Sequence, residues 1–304
     1  MDISDNYEKV LYQLEIESRR SYADIGRRVG VSKQSVSYAV NSMEEDGIIK
    51  SFYPLVDYSK LGFSSYIVLL RLNNFSKKQL ETMEGKIAEN DMVAWADTIS
   101  GGWDLAVQFV APNTSKFNKK FKLLLSNETE MIKDYKVMSA VVIHEMGRKY
   151  LRDYSLDDEI EDRVIGGDRQ VIELDDTMVK VLDELNWDPK KPSVRIAQEA
   201  DVTAKTVANR IDDLRSKKII RAIRPLLSIE KSNISSKLVF LDFEDQQIEK
   251  EDKLKRYCDK HSNVTGLTKL LGEYDMMLRI ETDEREVEDV VNNIREQFGE
   301  MIES

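Results

Sequence analysis

Cysteine is almost missing from this chain of 304 residues: Cys258 stands alone, which excludes an intramolecular disulfide and any multi-cysteine zinc site. It falls on the apolar row Leu254, Tyr257, Cys258, His261, so a buried small side chain is expected rather than a reactive thiol. Long apolar runs are missing too, none approaching the roughly 20 residues of a membrane span. Met1 to Asp5 is acidic and has neither the basic start nor the apolar block of a signal peptide, so a cytoplasmic protein without membrane contact is expected. A positive balance is also lacking. Lys and Arg number 45 against 56 Asp and Glu, and the net charge of −11 excludes a general coat for nucleic acid.

What is present suffices for substantial cores: 41% of residues are hydrophobic, and the length suggests two or more domains. The chain is a duplication. Ile25-Gly26-Arg27-Arg28-Val29-Gly30-Val31-Ser32-Lys33-Gln34-Ser35-Val36, followed by Val40, Met43, Gly47, Ile48, Ile49 and Pro54, has a twin. The twin begins Ile196-Ala197-Gln198-Glu199-Ala200-Asp201-Val202-Thr203 and continues through Val207, Ile211, Leu214, Lys218, Ile219, Ile220 and Pro225. The offset of 171 also pairs Asp5 with Asp176, Leu14 with Leu185, Val93 with Val264, Gly101 with Gly272 and Asp104 with Asp275, without a gap. Each twin has the pattern of a short helix, a tight turn, a hydroxyl N-cap (Ser32, Thr203), a second helix and a strand. That pattern is a winged helix-turn-helix and points to DNA.

Charge is segregated to match. Residues 190–224 carry ten basic side chains against four acidic ones, and residues 18–51 carry six against four. Helices are expected at Asp5 to Ile16 and Tyr22 to Val29, with Gly30 as a left-handed ending. In the helix after Ser32, Val36, Val40 and Met43 face inwards, leaving Lys33, Gln34, Ser37, Tyr38 and Asn41 outwards. Ile48 to Val56 reads as the wing. Beyond Gly62 the order βαββαβ, closing with a strand at Tyr135 to His144, predicts a ferredoxin-like sandwich. Both faces of its sheet are apolar, so a second sheet should cover the face away from the helices, within the chain or in a homodimer.

The fold class is therefore α+β, with two winged helix-turn-helix domains (1–62 and 174–233) alternating with two ferredoxin-like domains (63–153 and 234–304). An acidic connector, 154–173, joins the halves, and Gly166-Gly167 suits a hairpin turn between Val164-Ile165 and Val171-Ile172. At the same offset Ser304 corresponds to Lys133, so the second sandwich should lack its fourth strand. The edge of Ser235 to Phe243 would then be open unless the connector or the first copy covers it.

These residues resemble the leucine-responsive regulator/AsnC (feast/famine) family of transcription regulators, nearly the whole chain matching twice. Beyond the helix-turn-helix, the resemblance rests on a Val followed eight residues later by Gly-x-aromatic-Asp: Val93 with Gly101-Gly102-Trp103-Asp104, and Val264 with Gly272-Glu273-Tyr274-Asp275. It implies a sequence-specific DNA-binding regulator with an amino acid or other small molecule as effector near Gly101, Asp104, Gly272 and Asp275. There glycine would admit a ligand to the backbone and aspartate could accept from an α-ammonium group. Lys33, Gln34, Ser37, Tyr38 and Asn41, with Lys205, Thr206, Asn209 and Arg210, would enter the major groove. Lys50, Lys217, Lys218, Arg221 and Arg224 would contact phosphate. Lys218 replaces the helix-ending glycine found at Gly47, at a cost of roughly 1 kcal/mol if the left-handed conformation is kept.

Neither a cofactor nor a metal is called for. A rival reading is an enzyme, because fused tandem copies of this architecture resemble siroheme decarboxylases. This chain, however, has only His144 and His261, and Val264 is followed by Thr265-Gly266-Leu267 rather than a histidine-containing motif. A third reading is a protein-interaction module with vestigial DNA-binding domains. On the favoured reading one chain carries two inequivalent readers and could recognise an asymmetric site.

Overall fold

A computed structural model describes residues 5–73, 76–127, 131–152, 160, 163–232, 234–243 and 248–299. The first half runs α1 (Asp5–Glu17), α2 (Tyr22–Val29), α3 (Lys33–Glu45), β1 (Ile49–Val56), β2 (Ser64–Leu72), α4 (Lys77–Ala88), β3 (Val93–Thr98), β4 (Leu105–Ala111), α5 (Thr114–Asn127) and β5 (Ile132–Glu145). After β6 (Arg163–Gly166) come α6 (Asp176–Trp187), α7 (Ser193–Ala200), α8 (Ala204–Ser216), β7 (Ile220–Leu227) and the single turn α9 (Ile229–Ser232). The chain continues through β8 (Ser235–Leu241), α10 (Ile248–Lys260), β9 (Val264–Leu271), β10 (Met276–Thr282) and α11 (Val287–Phe298).

Local chemistry accounts for the helix ends. Ser21, Ser32, Ser76, Asp175 and Thr203 each accept the N–H three residues on, as short polar N-caps do. Gly30 (φ 77) and Asp201 (φ 55) stand at equivalent left-handed positions, as do Gly47 (φ 72) and Lys218 (φ 57). Lys218 thus keeps the conformation that glycine takes in the first copy, and carries its strain.

Seven strands follow one path, β3-β4-β2-β5-β9-β10-β8. The first four have the ferredoxin-like order, and β9-β10-β8 repeats it without a fourth strand among the described residues. The sheet is bent back on itself. The Arg279 guanidinium on β10 lies 5.8 Å from the centre of the Trp95 ring on β3, five strand steps away. In a flat sheet that separation would be ~24 Å. Alternation supplies the two faces: Tyr66, Val68, Leu70 and Leu72 of β2 pack under the helices with Phe117 and Phe121, while Ile67 and Leu69 join Ala106, Met138, Leu270 and Met277 between the sheets. The second sheet that the apolar faces demanded is thus the chain's own.

β5 makes the join. Its residues 132–140 pair with β2, whereas 139–145 pair with β9 of the second copy. Two expectations about the connector and the open edge are corrected here. The first copy covers the β9 edge, not the β8 edge, because β5 is long enough to leave one sheet and enter the other. No hairpin forms at Gly166-Gly167: Arg163–Gly166 pairs with β5, and Ile172 donates to the Lys60 carbonyl instead. Residues 154–159 and 161–162 of the connector lie outside the described residues.

The two heads, α1 to β1 and α6 to β7, also meet. The strand expected as the wing, β1, pairs antiparallel with its own counterpart β7. Tyr53 opposes Arg224, its equivalent at offset 171, so a local twofold axis passes through that pair. Asp57 N–H donates to Ile219 O and, reciprocally, Ser228 N–H to Ile48 O, both at 2.8 Å. The reason is apolar: Phe52 and Val56 of β1 contribute to the second head's core, and Leu227 of β7 to the first.

Candidate nucleic-acid interface

Each head presents its third helix in the same way. In α3, Val36, Ala39, Val40 and Met43 are buried, while Lys33, Gln34 and Asn41 are exposed, Ser37 is half-buried and Tyr38 is 71% exposed. In α8, Val207, Ile211 and Leu214 are buried, and Lys205 and Asn209 are exposed, with Thr206 and Arg210 half-buried. Tyr38 thus stands among the polar residues of the outer face of α3. Glu44, Glu45 and Asp46 at the far end of α3 are exposed and make that end acidic.

Arg210 is anchored rather than loose. Its guanidinium bridges Asp175 at 2.9 Å and Asp213 at 3.1 Å. These two carboxylates were missed in reading the sequence, although the cap at Asp175 and the three-residue spacing from Arg210 to Asp213 were visible there. Lys50, Lys217 and Lys218 are exposed and Arg221 is half-buried, all at surface positions compatible with the phosphate role.

Arg224 is a correction. It is only 2% exposed and cannot reach phosphate. Its guanidinium binds Glu145 at 3.0 Å and makes a short contact to Glu15, and it sits in a buried charge cluster with Arg148. Arg148 donates to Glu15 at 3.0 Å and to Glu281 at 2.8 Å, and Tyr150 donates to Glu281 at 2.8 Å. The cluster ties both heads to both sandwiches, since Glu15 lies on α1, Glu145 on β5, Arg224 on β7 and Glu281 on β10. Burial alone would raise the Glu15 carboxyl, but the coulombic fields of Arg224 and Arg148 outweigh it and hold the group below its ordinary value. Arg224 and Arg148 are raised in turn: burial opposes their charge, and the adjacent carboxylates, Glu15 on both with Glu281 on Arg148, more than offset it.

Further contacts lock the heads to one another. Arg19 donates to the carbonyls of Pro189 and Lys191 at 2.9 Å each, and Arg215 pairs with Glu17 at 2.9 Å. Lys190 lies over the Phe52 ring at 4.2 Å, and Lys60 donates to Lys217 O at 2.7 Å.

The two Gly-x-x-Asp loops are alike. Asp104 accepts from Leu72 N–H at 2.7 Å and donates its own N–H to Leu70 O, and Asp275 does the same with Phe243 and Leu241. Each aspartate therefore fastens its loop to the first strand of its sandwich. Gly101 (φ 103) has open space where a Cβ would stand, whereas at Gly272 (φ 153) a Cβ would come within 2.8 Å of the Met138 side chain. Glycine at 272 is thus needed where the turn after β9 runs close beside Met138 of the neighbouring strand β5. Cys258 is fully buried, and burial pushes its thiol up to about 12, as an inert core residue.

Comparison with known proteins bears on this geometry. The family model described as winged helix-turn-helix DNA-binding matches residues 6–50. An HTH-type transcriptional regulator of Mycobacterium tuberculosis is 30% identical over 111 residues, 36% of this chain and 73% of that protein. The leucine-responsive regulatory protein of Rhizobium meliloti is 28% identical over 110 residues, covering 36% and 70%. The chain belongs to the leucine-responsive regulator/AsnC family. A further relative, the proline dehydrogenase transcriptional activator of Rhodobacter capsulatus, is 27% identical over 137 residues, 44% of this chain and 89% of that protein. One family member thus accounts for one half here, as a tandem duplication requires. The crystal structure of a siroheme decarboxylase covers 98% of this chain and 88% of its own, with a TM-score of 0.62 at 12% identity. That likeness is one of fold alone. Among the described residues no group of three or more His, Cys, Asp or Glu is placed to hold a metal, and no helix is long and apolar enough to cross a membrane.

Proposed function

We propose that this chain is a sequence-specific DNA-binding transcription regulator in which α3 and α8 enter the major groove as two unequal readers. The observation that carries this reading is the pair of N-capped third helices. Each has a buried inner row and an exposed polar row, on heads held in one geometry by the β1–β7 pair. Lys33, Gln34, Ser37, Tyr38 and Asn41 face one half-site; Lys205, Thr206, Asn209 and Arg210 face the other. Fixing Arg210 between Asp175 and Asp213 orders its guanidinium before binding, which lowers the entropy lost on contact. Because the readers differ, the favoured operator is asymmetric, and one chain suffices to occupy it.

Selection of bound fragments from genomic DNA, followed by footprinting, should yield a protected site without dyad symmetry. At fixed salt, Lys205→Ala should weaken binding to that site by roughly tenfold. Unchanged affinity would refute the assignment of α8. Replacing Lys217 or Arg221 should weaken specific and non-specific binding alike and reduce the salt slope by about one per residue. Absorbance titration with siroheme separates the enzymatic alternative, and no spectral change is expected.

A further inference from the structure

Duplication lets one copy show what a surface groove on the other is shaped to hold. In the second copy the edge of β9 away from β10 is taken by β5, and the residues after β5 continue onto α10. Met146 and Gly147 donate to the Thr265 carbonyl at 3.0 and 3.1 Å, and the Met146 side chain is buried with Leu254, Cys258, Val264 and Leu267. Three residues later the Lys149 ammonium donates to the carbonyls of Cys258 and Asp259 at 2.9 and 2.8 Å. Those carbonyls belong to the last turn of α10, where the helix dipole favours a cation. Val264 to Thr268 of β9 are all buried.

At the offset of 171 the counterpart of β9 is β3, and among the described residues β3 pairs with β4 alone. Its residues Ala94, Ala96, Asp97 and Thr98 are exposed. A strand edge of this kind presents amide and carbonyl groups on which another strand can form. Beside it, between α4 and β3, lies a groove of about 430 Å³ lined by Glu84, Ile87, Ala88, Val93, Ala96 and Leu105. Ile87 and Ala88 stand where Cys258 and Asp259 offer their carbonyls, and Ala96 leaves more room than its counterpart Leu267. Lys255 and Asp259, an ion pair in the second copy, are replaced by Glu84 and Ala88, which makes the first copy's groove the more acidic.

We propose that the β3 edge and this groove take an extended peptide segment of another protein, running antiparallel to β3. An apolar side chain fills the groove, and a lysine three residues later caps the carbonyls at the end of α4. Glu145 lies opposite Gly266 in the second copy, which sets the residue before the apolar one opposite Trp95. Main-chain hydrogen bonds supply the attachment and the two side chains the selectivity. Met146 and Lys149 of the chain itself are engaged on the second copy, so the occupant comes from outside.

A dye-labelled synthetic peptide with the sequence of residues 139–150 is the probe, titrated into the full chain and followed by fluorescence anisotropy. Saturable binding is expected, with amide exchange slowed in β3 and unchanged in β9. Met146→Asp or Lys149→Ala in the peptide should each raise the dissociation constant by roughly tenfold. In the chain, Ala96→Trp fills the groove and Glu84→Lys repels the lysine, and each should weaken binding by about tenfold. Both positions are exposed, and an unchanged circular dichroism spectrum is expected of both variants. Absence of saturable binding, indifference to both chain variants, or altered exchange in β9 in place of β3 overturns the proposal. So does a β3 edge already protected in the free chain; protection that grows with chain concentration would assign the edge to a second copy instead.

Discussion

Glu15, Arg148 and Arg224 show how little an individual charge reveals of its surroundings. In the sequence Arg224 lies in a cationic stretch and reads as a phosphate contact; in the structure it is held between Glu15 and Glu145 at the meeting point of four domains. Removing one partner of such a buried pair leaves the other uncompensated, at a cost of about 3–5 kcal/mol. Arg224→Met should therefore lower the thermal midpoint markedly, with little change in DNA affinity at temperatures where it remains folded. The pH response has a definite sign. Because the Glu15 carboxyl in the folded chain lies below its ordinary value of 4.5, the stability it contributes is complete above that value and is lost as pH falls through the folded value. Unfolding midpoints measured from neutral pH down into the acid range should drop accordingly, and Glu15→Gln, already destabilised at neutral pH, should show a shallower acid slope. An unaltered slope would remove Glu15 from the account.

At the scale of the element, most of the helices and strands were legible, since their signals are local. N-caps at Ser32 and Thr203, inward rows spaced by four and three, and left-handed glycines at Gly30 and Gly47 each depend on neighbours a few residues away. The same locality allowed the strain at Lys218 to be read from Gly47. Lys218→Gly should stabilise the fold by up to about 1 kcal/mol in denaturant unfolding, while removing one cation from the α8 side of the interface. The loop glycines separate by context rather than by local sequence. Gly101→Ala meets only backbone strain, whereas Gly272→Ala also drives a methyl into Met138, so the second substitution should destabilise the chain more. Equal losses would show that Met138 can yield there. The partner of the wing strand was not legible for a related reason: Ile49–Val56 has the residues of a strand, but nothing near it specifies that its partner is β7.

At the scale of the whole molecule, the two copies pair with each other within one chain. β1 with β7 and β5 with β9 join the halves, and the apolar layer containing Ile67, Leu69, Ala106 and Met138 requires an opposite sheet. Truncation after Gly167 removes that sheet, and light scattering should find the remaining fragment as a homodimer with the same face covered. A folded monomeric fragment would contradict the role given to this layer. Fusion lets the third helices diverge without losing their common geometry, because Arg19, Arg215 and Lys60 tie head to head independently of the outer faces of α3 and α8.

By itself the sequence determined the duplication, the kind and order of the elements, and the third-helix residues that face outwards, because hydrophobic period, caps and turns act over a few positions. Tertiary structure alone decided that Arg224 and Glu15 are interior, that β5 crosses to β9 and leaves the β8 edge, and that β1 and β7 are partners. Those outcomes rest on groups more than a hundred residues apart, and a carboxylate, a guanidinium or a strand edge has the same chemistry in the sequence whether the fold brings it a partner or leaves it in water.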